Sequence, residues 1–297
     1  MAAVESIGGL GRGTEDAAIE KARRERRHAL VLPREHGAWG LLLVPMVTAA
    51  GVALRESVDF FPAVLLLIAT LALFWLRTPI ESLLGTSAIR AQSREERRAV
   101  AQVIAGLGAV AAVALAILLW AGKNPYLWLI GIAAGAAFVG QALLKKLGRR
   151  TRMLSEIVGT IGLTATAPAA YYVITGKIDA MAWMLWLVNL IFAGNQIHYV
   201  HIRIHSARAE GMRAKLAKGW AFAAGQFATA IILGLACLRG YLPWMALVAF
   251  APILFRGWLY FFQKPTPLVV RRLGWNELSQ AVVFCVLFIS AITATGR

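Results

Sequence analysis

The sequence predicts an all-α, polytopic membrane protein of about nine transmembrane helices, with its N-terminus inside and its C-terminus outside. Three observations carry that expectation. Of the 297 residues, 59% are hydrophobic and only 15% charged. Nine apolar runs are long enough to cross roughly 30 Å of hydrocarbon, which takes about 20 helical residues. The basic residues alternate from one side of these runs to the other. Hydropathy does not alternate with period two inside the runs, so closed-barrel strands are excluded and helices satisfy the backbone instead.

The runs fall at 37–54, 60–84, 99–121, 125–144, 154–175, 180–200, 217–238, 242–262 and 276–294. The first follows Pro33 and opens with Trp39, a residue suited to the membrane interface. In the second, Pro79 removes a backbone donor and loosens the helix end. The third contains VIAGLGAVAAVALAILLW from Val103 onward, an unbroken apolar string whose small residues favour close helix packing. The fifth holds Pro168, a second point of loosening. Cys237 and Cys285 sit inside the seventh and ninth runs as packing residues, with no disulfide expected.

The formal net charge of +16 is distributed as a topology signal, which excludes a nucleic-acid partner. With the N-terminus inside, 24 of the Lys and Arg residues fall on the cytoplasmic side and five on the other, while Arg77 and Arg256 lie within spans. That is the positive-inside pattern. Residues 1–31, including EKARRERRH, contain no apolar core of a secretory signal. They form a basic cytoplasmic tail, disordered or lying on anionic lipid at roughly 1 kcal/mol per basic residue. Residues 32–297 form the membrane domain, expected in a bacterial cytoplasmic membrane with lipids as its surroundings. The oligomeric state is left open.

Ionisable groups inside membrane helices are costly and tend to face a cavity or each other. Three clusters gather at the cytoplasmic side. In AGNQIHYVHIRIHSAR, His198, His201, His205 and Arg208 fall within an arc of about 80° at 100° per residue, with Asn195 adjoining and Arg203 pointing elsewhere, to headgroups or a neighbouring helix. The histidines are three and four residues apart, a spacing at which imidazoles can share a transition metal. A substrate-facing polar cavity and simple capping of the helix dipole are the other two readings. The second cluster, LPREHGAWG, places Glu35 and His36 at the mouth of the first span. In the third, RTPIESLLG, Arg77 and Glu81 are four apart and can pair. Asn195 and the imidazoles would lose hydrogen bonds if turned to lipid, so they are expected to meet Glu35 or His36 and Glu81 in one cytoplasmic cavity.

The string PREHGAWGLLLVPMVTAAGVA resembles the N-terminal signature of the YwiC-like membrane proteins. The nine-helix layout is similar to the UbiA prenyltransferase superfamily, and GAAFVGQALLKKLGRRTRMLSEIVGTIGLTATAPAAYYVITG resembles the fourth and fifth helices of that superfamily with their basic loop. The resemblance implies a UbiA-like helical bundle. It also implies aspartate-rich motifs after the second and sixth helices, where magnesium and an isoprenoid diphosphate would bind. Here RTPIESLLG keeps only Glu81, and HYVHIRIHSARAEGM contains no aspartate, only Glu210. Magnesium prefers oxygen ligands whereas imidazoles suit transition metals, so the residues argue against the usual magnesium chemistry and the cofactor stays open.

Two functional expectations follow. A divergent transferase would act on an isoprenoid or lipid-like substrate. His198 or His201 would then be the base near neutral pH, with Glu35, His36, Arg77, Glu81, Asn195 and Arg208 binding substrate. Guanidinium forks of Arg77, Arg90, Arg203 and Arg208 match phosphate oxygens without a bridging metal. The alternative is a non-enzymatic binding protein or transporter for a quinone, haem or metal, which would be held by His198, His201 and His205.

Overall fold

The computed structural model describes residues 20–32, 36–57, 59–87, 89–121, 125–148, 151–207, 209–264 and 269–295. Among them the regular structure is helical and no strand occurs. The helices are α1 (20–31), α2 (His36–Ala53), α3 (Phe61–Leu83), α4 (Arg94–Ala121), α5 (Tyr126–Lys146), α6 (Arg152–Thr164), α7 (Thr166–Thr175), α8 (Ala180–His205), α9 (Gly211–Leu238), α10 (Ala246–Phe262) and α11 (Val270–Ala294). Seven segments of the described chain are long and apolar enough to cross a membrane, with α6 and α7 together forming one of them. Two further apolar helices, Trp39–Ala53 and Ala246–Phe262, are shorter. The protein is a polytopic helical membrane protein.

The chain divides into two units, Met1–Arg34 with Ile68–Ala114, and Glu35–Leu67 with Leu115–Arg297. In the first, the start of α4 is fixed by a capping box. Ser93 Oγ accepts from the Glu96 N–H at 3.0 Å, and the Glu96 carboxylate accepts from the Ser93 and Gln92 N–H groups at 3.3 and 2.8 Å. Glu95 and Glu96 then hold α1: Arg26 Nε donates to Glu96 at 2.6 Å and Arg23 pairs with Glu95. Trp75 Nε1 donates to the Val31 carbonyl at 3.1 Å over a small core of Leu30, Ala91 and Val100. The last twelve residues of the basic tail are therefore helical and tied to α4; residues 1–19 lie outside the described set.

The second unit contains the main core. There α2 packs on α7 and α11, α5 on α6, and α10 on α9 and α11. Aromatic rings fill its centre: Phe192 stacks on Phe284 at 4.0 Å, and Phe250 meets Phe284 edge-on at 5.1 Å. The fifth run breaks at Ala165 into α6 and α7, because the Pro168 ring has no N–H and crowds the Thr164 carbonyl. Thr166 Oγ1 restores hydrogen bonding at the break by donating to the Leu163 and Leu42 carbonyls at 2.9 and 3.0 Å. Helix α9 is kinked at Gly219, whose backbone leaves helical geometry (φ −115°, ψ 19°). Cys237 and Cys285 are buried and free.

Beyond the N-terminus of α8, Glu56 receives the Lys177 ammonium at 2.6 Å and the Tyr171 hydroxyl at 2.9 Å. These donors, Lys177 first, hold the Glu56 carboxyl below the usual carboxylate range, and the same pair raises Lys177 above its ordinary value.

Candidate functional site

Helix α8 organises the polar groups of the second unit. Asp179 starts it as an N-cap, its carboxylate accepting from the Met181 and Ala182 N–H groups at 3.0 and 3.1 Å. The helix continues to His205, so HYVHIRIH is helical throughout and presents two polar faces.

One face carries the histidines. His201 Nε2 pairs with Glu156 Oε2 on α6, and Glu156 also receives Arg152 Nε at 3.1 Å. His205 stacks on His201 with ring centroids 5.8 Å apart, and its Nδ1 lies 2.8 Å from the His201 carbonyl, a helical back-bond. His198 turns to α9, where its ring meets Phe222 edge-on at 5.3 Å. A Cβ on Gly225 would stand 3.6 Å from His198 Nδ1, an ordinary van der Waals contact, so the ring packs close against the α9 backbone there. Asn195 is buried and accepts a long bond from Gln226 Nε2 at 3.5 Å.

The other face holds Gln196, Tyr199, Arg203 and Ser206, within about 80° of one another around the helix. Here Arg256 of α10 and Glu277 of α11 form a two-pronged ion pair, Nη1–Oε1 2.5 Å and Nη2–Oε2 3.1 Å, with side chains only 15% and 12% exposed. The Arg256 guanidinium lies 4.0 Å from the Tyr199 ring centroid, and Gln196 Nε2 donates to the Glu277 carbonyl at 2.8 Å. Arg203 therefore points toward the neighbouring helix α10, its Cζ 5.3 Å from the Tyr260 ring.

The sequence-selected residues are distributed as follows. His198, His201, His205 and Asn195 lie on one face of α8. Arg77 and Glu81 pair at 3.2 Å in the first unit. Glu35 and Arg208 lie outside the described residues. His36 opens α2, and its side chain is outside them too. Among the described residues, no group of three or more His, Cys, Asp or Glu side chains is arranged to hold a metal ion.

Sequence reasoning missed Glu156, Arg256 and Glu277 as members of the site. A signal for the last two existed. A lone arginine inside ILFRGWLYF requires a counter-charge in another span. With Glu81 taken by Arg77, the spans offer Glu156 and Glu277.

Residues 32–171 match the family model described as YwiC-like protein. Over that stretch the chain is similar to that family. The match starts just before α2 and stops within α7, so it includes Glu156 and leaves out α8 with its histidines. No curated protein and no solved structure matches the chain. The matched segment thus supplies the carboxylate, and the helices beyond it supply the imidazole that the carboxylate meets.

Proposed function

We propose that this protein is a divergent, UbiA-like membrane transferase of nine spans, N-in and C-out, acting on an isoprenoid or other lipid-like substrate at the ends of α6 and α8. The observation that carries the reading is the pairing of His201 with Glu156. A carboxylate that accepts from one imidazole nitrogen fixes the tautomer and leaves the other nitrogen as acceptor. His201 Nδ1 has no hydrogen bond among the described residues, so it is the nitrogen available to take a proton. As a general base it removes the proton of the attacking group while the leaving group departs with its electron pair. His198 and Asn195 line the same face. The absence of aspartate from HYVHIRIHSARAEGM makes this a base-led scheme rather than the magnesium scheme of the superfamily it resembles.

A second reading, a non-enzymatic carrier of a quinone, haem or metal, is favoured by one observation. Asn189 Oδ1 and Gln226 Oε1, on α8 and α9, are buried without a partner among the described residues, and such acceptors suit a bound guest. The lipid extract that copurifies with the protein separates the two. An isoprenoid or lipid-like molecule enriched over the bulk membrane, and absent from His201→Ala, supports the transferase. A quinone, haem or metal retained in its place supports the carrier, and no enrichment of any species defeats both.

A further inference from the structure

The second face of α8 carries an excess of buried positive charge that the histidine reading does not use. Lys215, on α9 before the Gly219 kink, is 2% exposed. Its ammonium lies 4.6 Å from the Tyr260 ring centroid and donates to the Tyr260 and Gln263 carbonyls at 3.1 and 2.6 Å. Those carbonyls are at the end of α10, so part of the role of Lys215 is to cap that helix. The kink makes it possible, because Gly219 has no side chain to strike Ile202 and Phe261 as the first turns of α9 fold toward α10. Arg203 shares the same Tyr260 ring, half-buried. Tyr260 is 2% exposed and its hydroxyl is 2.5 Å from Ser206 Oγ, which fixes the ring between α8 and α10.

Among the described residues Arg203 and Arg256 thus share the Glu277 carboxylate, with Lys215 beside Arg203, and Arg256 already occupies both carboxylate oxygens. Among the described residues neither Arg203 nor Lys215 has a carboxylate partner, and the Arg203 guanidinium makes no hydrogen bond. Its Nε, like that of Arg256, is sealed from solvent with no acceptor. Arg203 also lies within electrostatic reach of Lys215, Tyr199 and Glu277. Two adjacent cations sharing one aromatic ring repel each other, and a buried unpaired charge is costly. Cation–π contact with Tyr260 offsets only part of that cost. A bound anion removes both penalties, and a planar guanidinium with free N–H groups matches a tetrahedral oxyanion.

We propose that Arg203 and Lys215, seated on Tyr260 at the ends of α8, α9 and α10, form a binding site for a phosphate group. The anion is either free in solution or the headgroup of a lipid. The site is on the opposite face of α8 from His201 and stands without the transferase reading.

The test uses the full-length protein in detergent with two probes, inorganic pyrophosphate and phosphatidic acid, the latter against phosphatidylcholine. Pyrophosphate affinity is measured by calorimetry and lipid retention by native mass spectrometry. Arg203→Gln removes a charge-assisted hydrogen bond and lowers affinity at least about tenfold. Arg203→Lys keeps the charge and loses the fork, giving an intermediate loss. Pyrophosphate binding that depends on Arg203 identifies a soluble phosphate site, and phosphatidic acid dependence alone identifies a headgroup site. If Arg203→Gln does not fold, Arg203→Lys decides. Wild-type affinity for both probes in the folded variant, or no binding of either probe by the wild type, overturns the proposal. These variants leave the His201–Glu156 pair intact and the readout is phosphate binding rather than retention of a copurified amphiphile, so failure here and failure of the transferase reading are separately visible.

Discussion

Breaking the Arg256–Glu277 pair should cost far more than removing it. Both side chains are at least 85% buried and joined at 2.5 and 3.1 Å. Arg256→Met leaves the Glu277 carboxylate among apolar helices, while Glu277→Met leaves a guanidinium that cannot shed its proton. An uncompensated buried charge costs about 3–5 kcal/mol. For Glu277→Met, the Tyr199 ring 4.0 Å from the guanidinium retains about 1–2 kcal/mol of cation–π attraction, so its loss lies at the lower end of that range. The double variant Arg256→Met/Glu277→Met removes both members of the pair together, so neither is left without the other, and should lie within about 1–2 kcal/mol of the wild type. The coupling energy is then at least about 4 kcal/mol, well above the roughly 0.5 kcal/mol expected of independent sites. Equilibrium unfolding in mixed micelles of increasing denaturing-detergent fraction, followed by circular dichroism, measures all four proteins. If the two single losses simply add in the double variant, the pair is not the buried, mutually compensating unit described.

Three further outcomes follow from the same structure. Because the folded Glu56 carboxyl is held below its ordinary value by Lys177 and Tyr171, its contribution to stability is complete above the unfolded carboxylate pKa of about 4.3. It fades as pH falls through the folded value; Lys177→Met should flatten the loss of unfolding midpoint between about pH 5 and 3, and an unchanged acid profile would show that the pair does not act. A Cβ on Gly257 would meet the buried Phe222 Cζ at 3.1 Å and Gln226 Cδ at 2.8 Å, whereas one on Gly234 meets nothing within 4 Å. Gly257→Ala should therefore be destabilised, overpacking of about 1–3 kcal/mol exceeding the roughly 1 kcal/mol gain in helix propensity, while Gly234→Ala is stabilised; a gain in both would contradict the packing. Reporter fusions at Lys123 and Arg149 should lie in opposite compartments, and both in one compartment would reject the N-in, C-out topology.

The apolar runs located the helices, because burial in hydrocarbon demands long hydrophobic stretches whatever their partners. Boundaries were legible only where hydropathy changes with structure. Helix α4 begins five residues before its run, at Arg94, since Ser93 and Glu96 cap it through hydrogen bonds that hydropathy does not register. Helix α8 extends five residues beyond its run, through the polar HIRIH. The run of α9 starts at 217, close to the Gly219 kink, and misses the earlier turns that bring Lys215 to α10. Pro168 announced the α6–α7 break through its missing donor. The histidine face of α8 was readable from spacing alone. Its partner Glu156 was not, because pairing between α6 and α8 depends on helix packing that a one-dimensional pattern does not contain. The same holds for Tyr260, an ordinary aromatic residue in sequence that becomes the support of two cations only when α8, α9 and α10 converge.

The claim that His201 and Glu156 act together on a lipid-like ligand is tested most directly by ligand retention in four proteins: wild type, His201→Ala, Glu156→Gln and the double variant. Each is purified in the same detergent, and the copurified amphiphile is measured by mass spectrometry per mole of folded protein. Members of one unit give strongly non-additive losses. The account predicts that either single substitution removes most of the bound molecule and that the double variant loses no more than the worse single. Full retention in His201→Ala, or losses that multiply independently in the double variant, would contradict it.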